Sequence, residues 1–320
     1  MKKIVVLDGY AANPGDISWE PWQEFGELTV YPRTAPSEVI TRCEGAEIVL
    51  TNKVVFDAQT IAALPALRYI GVLATGFNII DLEAARQHGV IVTNIPAYST
   101  QSVAQMVFAH LLNITHHVAD HAASVARGDW QASQDFCYWL TPLQELAGLT
   151  FGIVGLGNTG RATARIAQAF GMQVMAYSSK SAIELDSEGI RKAESYDELF
   201  READVLSLHC PLTPDTRHLV NAEHLAQMKP SAILINTGRG PLIDEQALAD
   251  ALRERRIAAA GVDVLQQEAP RDGSPLIGAP HCYITPHVAW ATLAARQRLD
   301  AIARQNIAAY LAGQPQNVVN

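Results

Sequence analysis

Arg239, Glu268 and His287 are the side chains whose types best suit a reaction carried out together. A guanidinium is a planar fork that holds a carboxylate in two places. An imidazole moves a proton near neutral pH. A carboxylate beside it fixes the tautomer and favours the protonated form. Taken singly, each has a plainer reading. Arg239 would be a surface salt bridge, Glu268 part of the solvated run Gln266-Gln267-Glu268, and His287 a satisfied core histidine. Their placement favours chemistry. Arg239 follows the strand-like run Ala232–Asn236 in Thr237-Gly238-Arg239-Gly240. Glu268 comes a few residues after Ala258–Val262 and Asp263, and His287 comes just after Tyr283–Thr285 and Pro286. In an open parallel sheet, ligands sit outside the carboxyl ends of the strands, so the three are expected to share one crevice.

A second chemistry lies at Thr150–Gly160, which reads as a buried strand, a glycine turn and a helix start. Gly155, Gly157 and Gly160 have the G-x-G-x-x-G spacing. The three glycines serve in turn for a tight turn, for room to bring a pyrophosphate against bare backbone, and for close packing of helix on strand. The free N–H groups of the following helix would hold a dinucleotide's phosphates. The next strand, Gln173–Tyr177, would normally end in an acid that binds the adenosine ribose. Here it runs into Ser178-Ser179-Lys180. A hydroxyl and a cation suit a 2′-phosphate, so of NAD(H) and NADP(H) the latter is favoured. His209, in Leu208-His209-Cys210-Pro211, follows another strand and is expected to line the same crevice. His117 and His121 have an i, i+4 spacing that can bind metal, but no third ligand is evident. They are read with His116 as a solvated helix face and no metal site is expected. His88, His110, His218, His224 and His281 receive no role.

The elements that must position these groups alternate. Ile4–Asp8, Glu47–Thr51, Leu67–Leu73 and Val90–Thr93 read as buried strands, with helices at Ala58–Leu64 and Leu82–His88. Gln101–Ala119 reads as a long helix leaving this unit, with Ser99 and Thr100 as candidate caps. Gly128–Pro142 has no period and reads as loop or linker. A second series follows: strands at Phe151–Val154, Gln173–Tyr177, Val205–Leu208, Ala232–Asn236, Ala258–Val262 and Tyr283–Thr285, with helices at Arg161–Phe170 and Asp244–Arg253. A final helix from about Ala291 to Leu311 is expected to return to the first unit. Alternating strand and helix gives an α/β fold of doubly wound parallel sheets.

The 320 residues, 48% hydrophobic, are enough for two domains with proper cores. A net charge of -9 argues against a nucleic-acid partner. The apolar run Ile4–Leu7 is too short for a signal core or a membrane span. Cys43, Cys137, Cys210 and Cys282 are scattered without a C-x-x-C, which fits a reducing compartment. A cytoplasmic protein away from membranes is expected.

Taken together, Gly155–Gly160, His209–Thr213, Met228–Gly240, Gly261-Val262-Asp263-Val264, Thr285-Pro286-His287 and the loop Ala74–Asn78 with Asp81 resemble the D-isomer-specific 2-hydroxyacid dehydrogenase family. The resemblance spans nearly the whole chain in order. Asp135-Phe136-Cys137-Tyr138-Trp139 is similar to its glycerate dehydrogenase (hydroxypyruvate reductase) branch. The resemblance implies a Rossmann NAD(P)-binding domain at 101–287, inserted into a discontinuous flavodoxin-like substrate domain at 1–100 and 288–320. It implies that Arg239 binds the carboxylate and carbonyl oxygen of a 2-oxo acid, with hydroxypyruvate or glyoxylate favoured. His287 would be the acid/base and Glu268 its partner. Ala74, Thr75 and Gly76 would form the loop that offers N–H groups to the substrate. Asn158 and Thr159 would lie against the pyrophosphate. Cys210, Thr237 and Asp263 would line the nicotinamide side, with His209, Pro211 and Gly238 beside them. The helix from Gln101 would help form a homodimer. Ser178 departs from the family's acid, and Gln105 stands where many relatives carry Glu. The rival within the family is a dinucleotide-sensing, corepressor-like binding protein; the intact Arg239, Glu268 and His287 set argues against it. A member acting on formate or phosphite is a further rival.

Overall fold

The structure, a computed structural model, describes all residues from Met1 to Asn320. It divides into two compact units, Met1–Ser99 with Ala291–Asn320, and Thr100–Trp290.

In the first unit, β1 (Lys3–Val6), β2 (Glu27–Val30), β3 (Ile48–Thr51), β4 (Tyr69–Val72) and β5 (Ile91–Thr93) form a parallel sheet of order β2-β1-β3-β4-β5. This is the flavodoxin-like order. The central strands are apolar on both faces: Ile4, Val5 and Val6 are fully buried, as are Ile48 and Val49. Parallel strands covered on both sides require this. β2 was not foreseen. It is an edge strand whose residues are only partly buried, so Glu27-Leu-Thr-Val30 carries no core signature. Asp57 and Asp81 accept from the Thr60 and Ala84 N–H groups and so start the Ala58–Ala62 and Leu82–Gln87 helices.

The last helix, Leu293–Leu311, belongs to this unit. It buries Ala295, Leu299, Ala303 and Ile307 at four-residue spacing. Trp22 Nε1 donates to Asp300 Oδ1 at 2.7 Å, and Asn306 Nδ2 donates to the Asn94 carbonyl at 3.0 Å. The tail then covers the edge of β5, where Val319 N donates to Val92 O and Asn320 Oδ1 accepts from Val92 N, both at 2.9 Å. That closes the β5 edge of the sheet to another strand.

In the second unit, β6 (Thr150–Val154), β7 (Gln173–Tyr177), β8 (Ile190–Lys192), β9 (Val205–Leu208), β10 (Ile233–Asn236), β11 (Ala259–Val262) and β12 (Cys282–Ile284) form a parallel sheet. Its order is β12-β11-β10-β9-β6-β7-β8. Outward from β6, this is the doubly wound dinucleotide-binding order with one strand added. One face packs Val154, Leu206, Leu234 and Val262; the other packs Phe151, Ile153 and Ile235 with Val107, Phe108 and Leu111 of the Thr100–His116 helix. The three-residue edge strand β8, with Arg191 exposed, was also not foreseen.

Two helix readings are corrected. The helix expected over Gln101–Ala119 ends at His116. His117 turns left-handed, with φ 46°, and a second helix runs Val118–Ala126. His117 Nδ1 meets Asp120 Oδ2 in the first turn of that helix at 3.1 Å. These histidines are also less solvated than expected: His117 is half-buried, and His121 Nε2 accepts the Leu140 N–H at 3.2 Å. The helix expected from Arg161 begins at Asn158, directly on Gly157 as its cap residue.

Candidate active site

β6 and β9 are neighbours at the point where the strand order reverses, and the glycine turn leaves β6 there. Gly155 has φ +90°, and a β-carbon on it would lie 2.7 Å from the Cys210 backbone N. On Gly160 a β-carbon would lie 2.4 Å from the Gly155 carbonyl oxygen. These two glycines let the turn, the helix and the loop after β9 close on one another. Gly157 is different: a β-carbon there would meet nothing within 4 Å. It opens the Asn158–Ala169 helix, which has no acidic residue in its first turn. Asn158 is exposed and Thr159 half-buried. The open side of Gly157 and the unblocked helix start fit a pyrophosphate. Thr237, after β10, has a buried hydroxyl with no hydrogen-bond partner. A buried unsatisfied group of this kind fits a ligand polar atom. The residues present therefore fit a dinucleotide.

At the end of β7, Ser178 Oγ accepts from Lys180 N at 3.2 Å. Lys180 Nζ lies 3.4 Å from Glu184 Oε1, which also takes Arg161 Nη2 at 2.8 Å. Ser179 is exposed. After β9, His209 Nε2 lies 2.9 Å from Ser207 Oγ, and burial pushes its pKa down to about 4. The ring is neutral at physiological pH. Burial pushes the Cys210 thiol up to about 11, so it is not a nucleophile there. Pro211 is exposed beside them.

The loops after β10, β11 and β12 carry Arg239, Glu268 and His287, and these strands are adjacent. Asn236 braces the first loop: Oδ1 accepts from Gly238 N at 3.0 Å and Nδ2 donates to Arg239 O at 2.9 Å. Arg239 is exposed, its Nη1 donating to Gly238 O at 2.8 Å. Gly240 touches the next loop so closely that a β-carbon would lie 1.9 Å from Leu265 O. His287 Nδ1 is 2.8 Å from Glu268 Oε2. A carboxylate only accepts, so Nδ1 carries the proton and Nε2 is the nitrogen left for chemistry. His287 has φ 52°, and its N–H donates to Asp263 O at 2.8 Å.

Sequence reasoning put Asp263 on the nicotinamide side. Its carboxylate, 1% exposed, accepts from Thr285 Oγ1 at 2.6 Å, Val288 N at 2.9 Å and Ala289 N at 2.8 Å. It thus holds the Thr285 hydroxyl before His287 and two backbone amides after it. Two residues were missed. Glu245, buried at the start of the Glu245–Arg253 helix, accepts from Gln266 N at 2.5 Å and Ser274 Oγ at 2.6 Å. It anchors the loop that bears Glu268. Its signal was the pair Asp244-Glu245, of which only a helix start was read. His110 is the other, 3.1 Å from Thr285 Oγ1.

In the first unit, Ala74, Thr75 and Gly76 follow β4. Ala74 O accepts from Ile95 N at 3.0 Å, Thr75 Oγ1 donates to Ile95 O at 2.7 Å, and Thr75 O accepts from Asn94 Nδ2 at 2.8 Å. Thr75 itself is exposed. Asp81 is a helix cap.

A doubly wound sheet with a phosphate-fitting glycine turn, and an imidazole–carboxylate pair at neighbouring strand ends, fits a nicotinamide-dependent oxidoreductase, the class to which the relatives belong. Residues 108–289 match the model of the D-isomer specific 2-hydroxyacid dehydrogenase NAD binding domain. The chain is 47% identical to a hydroxypyruvate reductase of Blautia hydrogenotrophica and 41% identical to a glycerate dehydrogenase of Methylorubrum extorquens; each comparison covers 99% of both chains. It superposes on an acyclic imino acid reductase in complex with NADPH and D-Arg with a TM-score of 0.85 and 30% identity, covering 99% of this chain and all of the other. The chain belongs to the D-isomer-specific 2-hydroxyacid dehydrogenase family. No helix is long and apolar enough to cross a membrane.

Proposed function

We propose that this enzyme reduces a small 2-oxo acid, hydroxypyruvate or glyoxylate, to the D-2-hydroxy acid, with NADPH preferred over NADH. The observation that carries this reading is the 2.8 Å bond between His287 Nδ1 and Glu268 Oε2 on the loops beside Arg239. Arg239 holds the substrate carboxylate with its fork and polarises the ketone. Glu268 takes the Nδ1–H, so it is the Nε2–H of the protonated ring that passes to the ketone oxygen, leaving a neutral imidazole with its proton on Nδ1. When bound, the coenzyme supplies the hydride. Thr75 and Gly76 are proposed to offer N–H groups to the substrate. Gly155 to Gly160, Ser178 to Lys180, His209 to Pro211, Thr237, Gly238 and Asp263 are proposed to face the coenzyme. The NADPH preference is supported by Ser178 and Lys180 where an acid would select the ribose hydroxyls. The relatives named for hydroxypyruvate and glycerate support the substrate. A homodimer is proposed on the apolar segment that holds Trp130, Phe136 and Trp139.

The test is a panel of 2-oxo acids, each assayed with NADPH and with NADH. The expected result is fastest turnover with hydroxypyruvate or glyoxylate and a higher kcat/KM for NADPH. Coenzyme binding without turnover on any acid would overturn the catalytic reading in favour of a dinucleotide sensor.

A further inference from the structure

His110 lies on the inner face of the Thr100–His116 helix and is 4% exposed. Its ring packs on β11. A β-carbon on Gly261 would lie 2.8 Å from His110 Cβ and Cγ, so the strand presents bare backbone where the imidazole sits. His110 Nε2 is 3.1 Å from Thr285 Oγ1, and Thr285 Oγ1 is 2.6 Å from Asp263 Oδ1. A carboxylate has no proton to give, so the hydroxyl donates to Asp263 and receives the Nε2–H of His110. Burial pushes the His110 pKa down, against the opposing pull of Asp263, the charged group it faces. The ring is therefore a neutral donor with a fixed tautomer.

Asp263 holds the Val288 and Ala289 N–H groups, which directly follow His287. His287 is left-handed, a conformation that a β-carbon disfavours. It persists only because its neighbours over-determine it. We propose that His110 is a positioning residue for His287. Its Nε2–H locks the Thr285 hydroxyl onto Asp263, Asp263 grips the two amides after His287, and the imidazole is held with Nδ1 on Glu268. The inference rests on His287 being the proton donor of the proposed reaction.

Four variants test it: His110→Leu, His110→Gln, Thr285→Val and the His110→Leu/Thr285→Val double variant. Two measurements are made on each: hydrogen exchange of the Val288 and Ala289 amides in the free protein, and kcat beside coenzyme affinity. A lost hydrogen bond of ordinary strength corresponds to about a two- to tenfold change. His110→Leu is expected to speed exchange and lower kcat by that amount with coenzyme affinity unchanged. Glutamine, which places an N–H near Nε2, is expected to restore both. The double variant should be no worse than the poorer single one, because both break one chain. Unchanged exchange and kcat in His110→Leu would overturn the proposal, as would a glutamine variant as impaired as the leucine one, or additive losses. If the leucine variant does not fold, the glutamine and valine variants still decide. If the parent enzyme reduces no 2-oxo acid, the functional reading fails, and the exchange comparison still decides whether His110 holds the loop.

Discussion

His287 combines two features that a core histidine would not need. Its backbone is left-handed, and its side chain is 28% exposed while bonded to a carboxylate that is itself 38% exposed. The pair is hydrogen-bonded on one side and open to solvent on the other, which fits the proposed delivery of a proton to a ketone. General acid catalysis is worth about 10²–10⁴ in rate, so His287→Ala is expected to lose that much turnover. Coenzyme binding, followed by fluorescence titration, should be unchanged; turnover near that of the parent would remove His287 from the mechanism. His209 contributes differently. Burial holds its pKa near 4 against an ordinary 6.5. Between those values the unfolded chain binds the extra proton and the folded one does not, so stability falls as pH drops through the window. His209→Gln is therefore expected to lose less melting temperature from pH 6.5 to 4 than the parent. Equal slopes would show that other groups control acid unfolding. At this scale the sequence was legible where residues stand in runs, as with His287 after Thr285-Pro286. It was opaque for His110 and Glu245, whose partners lie 175 and 21 residues away. Such pairs exist only once β10, β11 and β12 lie side by side with the Thr100–His116 helix packed on them.

Among the elements, the buried strands showed plainly because a parallel strand is apolar on both faces. Gln173–Tyr177 and Val205–Leu208 run as read. The edge strands β2 and β8 escaped because half-exposed strands lack that signature. The break at His117 escaped because nothing in helical periodicity marks a left-handed histidine. The glycines of the site were legible as a motif, but only the structure separates their roles. Gly157 has free space beside it and φ -82°, so Gly157→Ala should fold with an unchanged melting temperature while coenzyme affinity falls. Gly240 has none: its β-carbon would strike the Leu265 carbonyl. Gly240→Ala is expected to force apart the loops that carry Arg239 and Glu268, at a cost of about 1–3 kcal/mol from overpacking, with kcat/KM for the 2-oxo acid falling as well. Thermal melts beside coenzyme titrations distinguish the two. A destabilised Gly157→Ala or an undisturbed Gly240→Ala would contradict these assignments.

At the scale of the molecule, the segment read as loop or linker, Gly128–Pro142, has a definite form despite its lack of period. Tyr138 OH lies 2.9 Å from Ser124 Oγ, Trp130 Nε1 donates to Phe136 O at 3.0 Å, and Leu140 N is held by His121. Pinned in this way to the Val118–Ala126 helix, it nevertheless exposes Trp130, Phe136, Trp139 and Leu140, and Leu143 is exposed just after it. Leu143 also lines a groove of mixed character with Leu112, His116, Gln144, Glu145 and Phe170. Several large apolar side chains exposed on one short segment suit a surface that a partner covers. A second copy of the chain is the proposed occupant, because a stable interface of about 1,200–2,000 Å² needs large aromatic anchors at its centre. Sedimentation at micromolar concentration is expected to show a dimer. Phe136 and Trp139 are 88% and 66% exposed in the single chain, so aspartate at both should leave the fold intact and give a monomer. A monomeric parent protein, or a doubly substituted chain that still sediments as a dimer, would place the interface elsewhere.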